Sequence, residues 1–138
     1  MKPAHWLLKT EPHTYSFEQL IQDKKTNWNG VRNFQARNHL KKIAAGDLLL
    51  IYHSGDEKSI VGIAQALKIA YPDPDSESEH EWVQIDIEAI RVLKRKISLS
   101  ELKATPALAQ LPLIKQSRLS VMPIQAMEYK MILEMEKA

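Results

Sequence analysis

The spacing of hydrophobic and polar residues in the first third of the chain predicts one strand followed by two helices. His5–Thr10 is a short apolar run typical of a strand. Residues 16–22 begin with a serine suited to a helix N-cap and end in apolar residues, which favours a short helix. In residues 35–45 apolar side chains recur at helical intervals, and Gly46 is predicted to end this helix as its C-cap.

The middle of the chain changes to a period of two, which predicts three strands. Residues 47–52 have the pattern of a buried strand, and residues 59–70 and 82–93 have the pattern of longer ones. One face of the second strand carries only small side chains, which implies close packing by another element. These small residues are Gly62, Ala64 and Ala66. In the third strand the alternation slips by one residue around Ile90, as a β-bulge would produce, and bulges bend strands.

The last third of the chain predicts short helices, and one segment before it predicts a loop. Residues 99–111 contain two helical pieces interrupted at Pro106 and Pro112, and a final helix covers residues 124–135. Residues 71–81, with two prolines and alternating acids and serines, predict a solvated connection. Together the elements predict an α+β fold, a small curled sheet or barrel flanked by helices, with no βαβ pattern to support a parallel sheet.

Composition narrows the class of protein and excludes some chemistry. The chain of 138 residues suits one domain, and its 44% hydrophobic and 26% charged residues exclude disorder as the main state. It has no cysteine, so neither a disulfide nor a thiolate nucleophile can form. We predict no signal peptide and no membrane span, and we expect a cytoplasmic protein. A net charge of +2 permits a polyanionic partner without requiring one.

The motifs of several enzyme classes are missing. The chain has no glycine-rich phosphate loop, no HExxH, and no cysteine pair of the kind that zinc base deaminases need. Its histidines are scattered, at positions His5, His13, His39, His53 and His80. The acidic residues Asp73, Asp75, Glu77 and Glu79 lack the turn glycine and terminal glutamate of a calcium loop. We therefore predict no metal and no cofactor.

Aromatic, basic and amide side chains are concentrated in two stretches near the start of the chain. Residues 6–16 and 28–38 contain Trp6, Tyr15 and Trp28 together with arginines and asparagines. We place Trp28 in a loop and the residues after it at a helix entrance. A single unstacked base needs such aromatic planes, edge-reading amides and cations for the flanking phosphate. The alternative is a packed core tryptophan beside a solvated helix face.

Two further groups of polar residues belong to this hypothesis. Arg32, Arg37, Lys41 and Lys42 form a basic stripe that we predict to bind phosphates. The sequence Tyr52, His53, Ser54, Gly55 follows a predicted strand, where polar side chains are well placed to line the mouth of a pocket. An ordinary hairpin turn without a ligand is the alternative for that segment.

These motifs, taken in order, resemble the EVE domain family over nearly the whole chain. The motifs are WLLKTEP, then YS, W-x-GVRN-x-QARN, GD, IYHS, VGIA, AYPD and RLSVMP. The resemblance implies a single EVE domain over residues 1–138 with a PUA-like fold, a bent β-barrel flanked by helices. The short spacing from Pro12 to Tyr15 is similar to the compact bacterial members, and Gln125 stands where a serine or threonine helix cap is common.

The resemblance also implies a function, a non-catalytic pocket for a flipped base such as 5-methyl- or 5-hydroxymethylcytosine in DNA. Modified bases in RNA are the related alternative. The family motifs imply a pocket drawn from Trp6, Lys9, Glu11, Pro12, Tyr15, Trp28, Val31, Arg32, Asn33, Tyr52, His53, Ser54 and Arg118. We expect DNA or RNA as partner, no membrane, and a monomer, with a weak homodimer as the alternative.

Two other functions remain open. Related ASCH proteins deacetylate acetylated cytidine with a lysine, a threonine and a glutamate, and Lys9, Thr10 and Glu11 match that composition. In a regular strand, however, Lys9 and Glu11 share one face and Thr10 points to the other. The second alternative is a protein-interaction module, in which the methionines of the last helix dock a partner instead of closing the core. These methionines are Met127, Met131 and Met135.

Overall fold

The computed structural model describes residues 3–74 and 81–138, which form one mixed sheet flanked by short helices. The strands are β1 His5–Thr10, β2 Lys25–Trp28, β3 Leu48–His53, β4 Ser59–Ala66, β5 Tyr71–Pro72, β6 Val83–Ser98 and β7 Val121–Ile124. The helices are α1 Phe17–Asp23, α2 Phe34–Lys42, α3 Leu99–Lys103, α4 Pro112–Lys115 and α5 Ala126–Met135, with a 3₁₀ turn at Pro106–Leu108. The predicted α+β class is thus confirmed.

The strand order is β2-β6-β4-β3-β1-β7, and β5 pairs with β6 beside this path. Among the described residues no pairing joins β2 to β7, so the hydrogen-bonded path stays open and a closed barrel is not confirmed. The strands β1 and β3 pair in parallel, and the other pairs are antiparallel. No βαβ pattern predicts this parallel pair, because the crossover between the two strands contains β2 as well as two helices.

The predicted β-bulge in the long strand β6 is confirmed. Ile63 of β4 pairs with Arg91, whereas the next residue, Ala64, pairs with Ala89, so Ile90 is the extra residue. The strand then continues to Ser98, beyond its predicted end. An extra unpaired residue increases the local twist and bends the strand. The bulge explains why the hydrophobic alternation changes phase at this point.

The small face of β4 is closely packed, as predicted, and its neighbour is α1. A Cβ atom on Gly62 would lie 2.3 Å from the ring of Phe17, the first residue of α1. The side chain of Ser16 caps this helix by accepting a hydrogen bond from the Gln19 N–H at 3.1 Å. Glycine at position 62 therefore allows α1 to lie directly on the sheet.

The second helix is shorter than predicted, and Gly46 is not its cap. The helix ends at Lys42, with Ile43 as the C-cap residue. A turn follows, in which the carboxylate of Asp47 accepts a hydrogen bond from the Ala44 N–H at 2.9 Å. Gly46 lies in this turn with φ +92°. The turn gives the backbone after Lys42 a side-chain partner in place of another helical turn.

The last third of the chain contains the predicted short helices, but its prolines begin elements and do not break them, and the final helix starts at Ala126 because Ile124 belongs to the unpredicted strand β7. Pro106 starts the 3₁₀ turn and Pro112 starts α4, where the missing N–H has no helical partner to lose. In α5, Met131 and Met135 pack against the core, while Met127 is 53% exposed. The methionine stripe therefore closes the core over most of its length. None of the helices in the described ranges has the length and hydropathy to span a bilayer.

Candidate functional site

A cleft of about 510 Å³ lies between the end of β1, the strand β2 and the loop that leads into α2. Its walls are formed by residues 9–11, Thr14, Tyr15, residues 26–32 and Ser120. Of the residues predicted for a pocket, Lys9, Glu11, Tyr15, Trp28, Val31 and Arg32 line this cleft. The motifs WLLKTEP and W-x-GVRN therefore meet at one place, although the helix α1 separates them in the chain.

Tyr15 and Trp28 form the aromatic part of the cleft. Their ring centroids are 6.3 Å apart and their planes are nearly perpendicular, an edge-to-face contact. Trp28 is the last residue of β2 and pairs with Ile85 of β6, so the prediction that it lies in a loop is wrong. The strand is only four residues long, too short to show a clear alternation. Burial raises the pKa of the Tyr15 hydroxyl, which donates to Asp23 at 2.8 Å.

The indole N–H of Trp28 is an unused hydrogen-bond donor. This side chain makes no hydrogen bond with the described residues, although Trp28 is only 8% exposed. In the described part of the chain, every buried side-chain nitrogen or oxygen atom has a hydrogen-bond partner. The indole nitrogen must therefore be one of the atoms of Trp28 that solvent still reaches. A donor in an aromatic wall suits a ligand with a polar edge.

Asp73 holds the wall that contains Arg32. Its carboxylate accepts hydrogen bonds from the Gly30 N–H at 3.0 Å and from Arg32 Nη1 at 3.2 Å. The guanidinium of Arg32 also lies 5.6 Å from the centre of the Trp82 ring. Gly30 has φ +78°, a conformation that glycine adopts without strain. The ion pair and the glycine turn together fix the loop beside the cleft.

The role of Asp73 corrects the prediction of a solvated loop over residues 71–81. Tyr71–Pro72 pair with β6, and Asp73 is only 2% exposed and accepts the bonds from Gly30 and Arg32. In the sequence Asp73 is one of several acidic loop residues, and only the AYPD motif distinguishes it from them. The other acidic positions of that segment, Asp75, Glu77 and Glu79, lie outside the described residues.

Lys9, Thr10 and Glu11 all line the cleft. The strand β1 ends at Thr10, so the alternation of a regular strand no longer holds at the next residue. Each side chain has a different partner. Lys9 Nζ donates to the Ser117 carbonyl at 2.7 Å and Thr10 Oγ1 donates to the Tyr15 carbonyl at 2.7 Å. Burial lowers the pKa of Lys9.

Trp6, Pro12 and Asn33 do not line this cleft, contrary to the prediction. Trp6 is buried, and its indole N–H donates to the Asp47 carboxylate at 2.9 Å. Pro12 is half-buried in the turn after β1. Asn33 caps α2, since its side chain accepts from the Ala36 N–H at 2.9 Å. Trp6 and Asn33 therefore satisfy internal hydrogen bonds that hold the fold together.

The strand-end residues divide between a neighbouring pocket and the core. Tyr52 and Ser54 line a pocket of about 260 Å³, which shares Lys9 with the cleft. His53 is buried, its Nε2 accepts from the Phe17 N–H at 3.0 Å, and its Nδ1 lies 2.8 Å from Glu57. Because Nε2 accepts, the proton of the neutral ring lies on Nδ1 and points to Glu57. His53 thus joins α1 to the sheet and is not part of the cleft.

Of the basic residues predicted to bind phosphates, only Arg32 lines the cleft among the described residues. Arg118 lines a polar groove of about 340 Å³ together with Asn33, Gln35 and residues 115–119. On α2 the guanidinium of Arg37 lies 5.1 Å from the Phe34 ring. Lys41 Nζ is 3.7 Å from a carboxylate oxygen of Glu81, and Lys42 is exposed. Arg32 lines the cleft, and the α2 cations form a separate exposed stripe.

Within residues 3–74 and 81–138, no group of three or more histidine, aspartate or glutamate side chains could hold a metal ion. His80 lies outside the described residues. The cleft thus has hydrogen-bonding and aromatic groups, two cations and one carboxylate. A surface of this kind can bind a flat, polar ligand by stacking on the rings and by hydrogen bonds to the ligand's edge.

The fold and the cleft define a small α+β domain with an aromatic and polar cleft beside the edge strand β2. The family model of the EVE domain matches residues 4–135. The chain belongs to the EVE domain family.

Relatives of this chain include a curated vertebrate protein and several solved structures. Human thymocyte nuclear protein 1 is 34% identical over 167 aligned positions, which cover 97% of this chain and 74% of that protein. The NMR structure of Rpa0253 from Rhodopseudomonas palustris is 40% identical, with a TM-score of 0.91 and coverage of 97% and 93%. The crystal structure of human THYN1 protein in complex with 5-methylcytosine-containing DNA is 33% identical, with a TM-score of 0.89 and 98% coverage of each chain.

Proposed function

We propose that this chain is a non-catalytic DNA-binding domain that accepts one modified cytosine, turned out of its strand, in the cleft. The observation that carries the proposal is that the indole N–H of Trp28 has no hydrogen-bond partner among the described residues, and that Trp28 lines one cleft together with Tyr15, Lys9 and Glu11. A volume of about 510 Å³ is within the usual size of a small-molecule site. The similar human protein, crystallised with 5-methylcytosine-containing DNA, supports DNA as the partner.

The energetics favour a base that is easily extruded. Turning a base out of a duplex costs a few kcal/mol, and less where the base is unpaired. Contact with an aromatic side chain contributes about 1–3 kcal/mol per base. A methyl group buried against Tyr15 or Trp28 would add roughly 0.8 kcal/mol. For paired DNA, the cost of turning the base out is close to the gain from aromatic contact. The added gain from one methyl group can therefore decide whether binding is measurable.

The flanking phosphates would contact cations at the cleft and on the surface around it. Arg32 is suited to this contact because its side chain is 39% exposed although Asp73 holds it. Arg37, Lys41 and Lys42 on α2, and Arg118 in the adjacent groove, extend the positive surface. With a net charge of +2 the nonspecific affinity would be weak and would fall as salt rises.

Deacetylation of a modified cytidine is a second candidate because Lys9, Thr10 and Glu11 line the same cleft. Against it, the lysine and threonine side chains are bound to backbone carbonyls of Ser117 and Tyr15. Incubation with N4-acetylcytidine tests this candidate by chromatography of the products. Turnover that a Lys9→Ala variant loses would favour the enzyme, and an unchanged nucleoside would exclude this substrate.

The proposal is tested by titrating single-stranded oligonucleotides that differ only in one central 5-methylcytosine or cytosine. Fluorescence anisotropy should show tighter binding of the methylated strand, and the affinity should fall with salt. Tyr15→Ala should weaken binding of the methylated strand by about tenfold, since one aromatic contact is lost. Trp28→Ala should abolish it.

The folding of these variants has to be checked because Trp28 is buried. Circular dichroism and thermal unfolding show whether each variant keeps its fold, and Tyr15, which is only partly buried, is the safer substitution. Equal affinity of the folded wild-type protein for both strands would contradict the proposed function. Unchanged binding by a folded Tyr15→Ala variant would show that the base does not bind in the cleft.

A further inference from the structure

Glu11 is placed at the cleft by a close contact with a glycine. It follows the last residue of β1, and its carboxylate lies against Gly55, where an added Cβ atom would be 2.9 Å from Glu11 Oε2. Gly55 has φ +77°, so the turn after β3 both needs a glycine and leaves the space that the carboxylate occupies. Glycine at position 55 therefore leaves room for the Glu11 carboxylate to lie against the turn after β3.

The carboxylate of Glu11 keeps most of its acceptor capacity. Among the described residues its one hydrogen bond comes from Ser54 Oγ at 3.5 Å, a long contact, and it forms no ion pair. Lys9, the lysine that also lines the cleft, donates from Nζ to the Ser117 carbonyl at 2.7 Å and forms no ion pair with Glu11. An ionised carboxylate offers about four lone-pair positions. The single long bond from Ser54 leaves most of them without a protein partner among the described residues.

Carboxylates distinguish cytosine from thymine by the group at position 4 of the ring. Cytosine carries an amino donor there, and thymine carries a carbonyl acceptor, while both 5-methylcytosine and thymine have the same 5-methyl group. We infer that Glu11 accepts a hydrogen bond from the exocyclic amino group of the bound base, and so selects methylated cytosine against thymine. This inference rests on the proposed function.

Trp28 provides a hydrogen-bond donor, whereas Glu11 provides an acceptor. The edge of cytosine has a donor at one end and an acceptor at the other, and the cleft holds an acceptor at Glu11 and a donor in the Trp28 indole N–H. Thymine presents carbonyl oxygens at both ends, so one of them would face the Glu11 carboxylate. The unpaired charge and the lost hydrogen bond both oppose thymine binding.

The test compares two single strands that contain one central 5-methylcytosine or one thymine, and unmodified cytosine as reference. Single strands remove any difference in the cost of unpairing. The wild-type protein should bind the methylcytosine strand at least about tenfold more tightly than the thymine strand, the usual discrimination of one good base contact. Glu11→Gln should bring the two affinities to within about threefold, because an amide can donate to the thymine carbonyl as well as accept from the amine.

Glu18→Gln is the matched control, since Glu18 is an exposed carboxylate on α1 that does not line the cleft. It should keep the wild-type preference. A wild-type protein that prefers methylcytosine over thymine, with the same preference in folded Glu11→Gln, would overturn the role of Glu11 and leave the proposed function intact. A wild-type protein that binds none of the strands more tightly when cytosine is methylated would overturn both.

Discussion

Two tryptophans from neighbouring motifs have nearly equal burial and different surroundings. Trp6 is 7% exposed and Trp28 is 8% exposed. The indole N–H of Trp6 donates to Asp47, whereas that of Trp28 has no partner among the described residues. The indole N–H of Trp6 is satisfied inside the fold, and that of Trp28 is left without a protein partner in the described part of the chain. The two tryptophans are thus distinguished by their hydrogen-bond partners and not by their buried fraction.

Asp47 accepts the hydrogen bonds that hold the Trp6 region together. Its carboxylate accepts hydrogen bonds from the Ala4 N–H at 3.0 Å, Trp6 Nε1 at 2.9 Å and the Ala44 N–H at 2.9 Å. These bonds tie the start of β1 to the turn after α2. Asp73 has a similar arrangement beside the cleft, but the loop that it holds presents Arg32 to solvent.

The largest expected effect is the loss of stability when the Asp47 carboxylate and the hydrogen bonds that it accepts are removed. Asp47→Ala leaves buried donors without acceptors, which costs about 3 kcal/mol or more of unfolding free energy. Chemical denaturation followed by circular dichroism measures this loss. Asp56→Ala, an exposed aspartate, is the control and should change stability by less than about 0.5 kcal/mol. A stable Asp47→Ala protein would show that the Trp6 region does not depend on its carboxylate.

Glu136 is another carboxylate that is paired inside the fold, and its pairing makes the stability of the protein depend on pH. Hydrogen bonds from Arg91 hold the pKa of Glu136 below its ordinary value of 4.5, and its side chain is 2% exposed. A depressed pKa means that this contribution to stability is complete above pH 4.5 and is lost as pH falls through the lower, folded-state pKa. Glu136→Gln should lower stability at neutral pH by about 2 kcal/mol and by less at low pH.

Denaturant unfolding between pH 3 and pH 7 checks this prediction. Glu101, whose pKa is lowered by Arg95, titrates in the same range, so the variant should keep part of the acid sensitivity. Glu134→Gln, at an exposed glutamate of the same helix, is the control. Parallel pH profiles of the wild type and Glu136→Gln would contradict the assigned role of the Arg91 pair.

The smallest expected changes come from removing the two indole N–H groups. Trp28→Phe should weaken binding of a 5-methylcytosine strand by about tenfold, since one donor to the base edge is lost, and should lower stability less than Trp6→Phe, since both variants lose part of a buried ring but only Trp6 also loses an internal hydrogen bond. Trp6→Phe should lower stability by about 1–3 kcal/mol, because Asp47 loses a buried donor, and should leave the affinity of the folded protein unchanged.

Thermal unfolding and anisotropy measured on both variants complete this comparison. The two substitutions are matched, because each exchanges one indole for one phenyl ring. If both variants lost stability and neither lost affinity, the unused N–H of Trp28 would have no part in binding. If Trp6→Phe lost affinity while folded, the cleft would extend to the Asp47 region.

Much of the fold could be predicted from the sequence because burial of one face leaves a local period. The strand β1, the N-cap at Ser16 and the small face around Gly62 all follow from residues close together in the chain. The bulge at Ile90 is visible in the same way, as a change of phase. The strand β2 is too short to show a period, so the sequence pattern predicts a loop for Trp28.

By itself, the sequence determined the α+β class, the family motifs and the concentration of aromatic and basic residues near the start of the chain. The tertiary structure alone decided which of those residues face the cleft. The bond from Trp6 to Asp47 joins residues 41 positions apart, and the bond from Gly30 to Asp73 joins residues 43 apart. Contacts over such distances leave no local period, and they determine which polar groups are satisfied internally and which remain for a ligand.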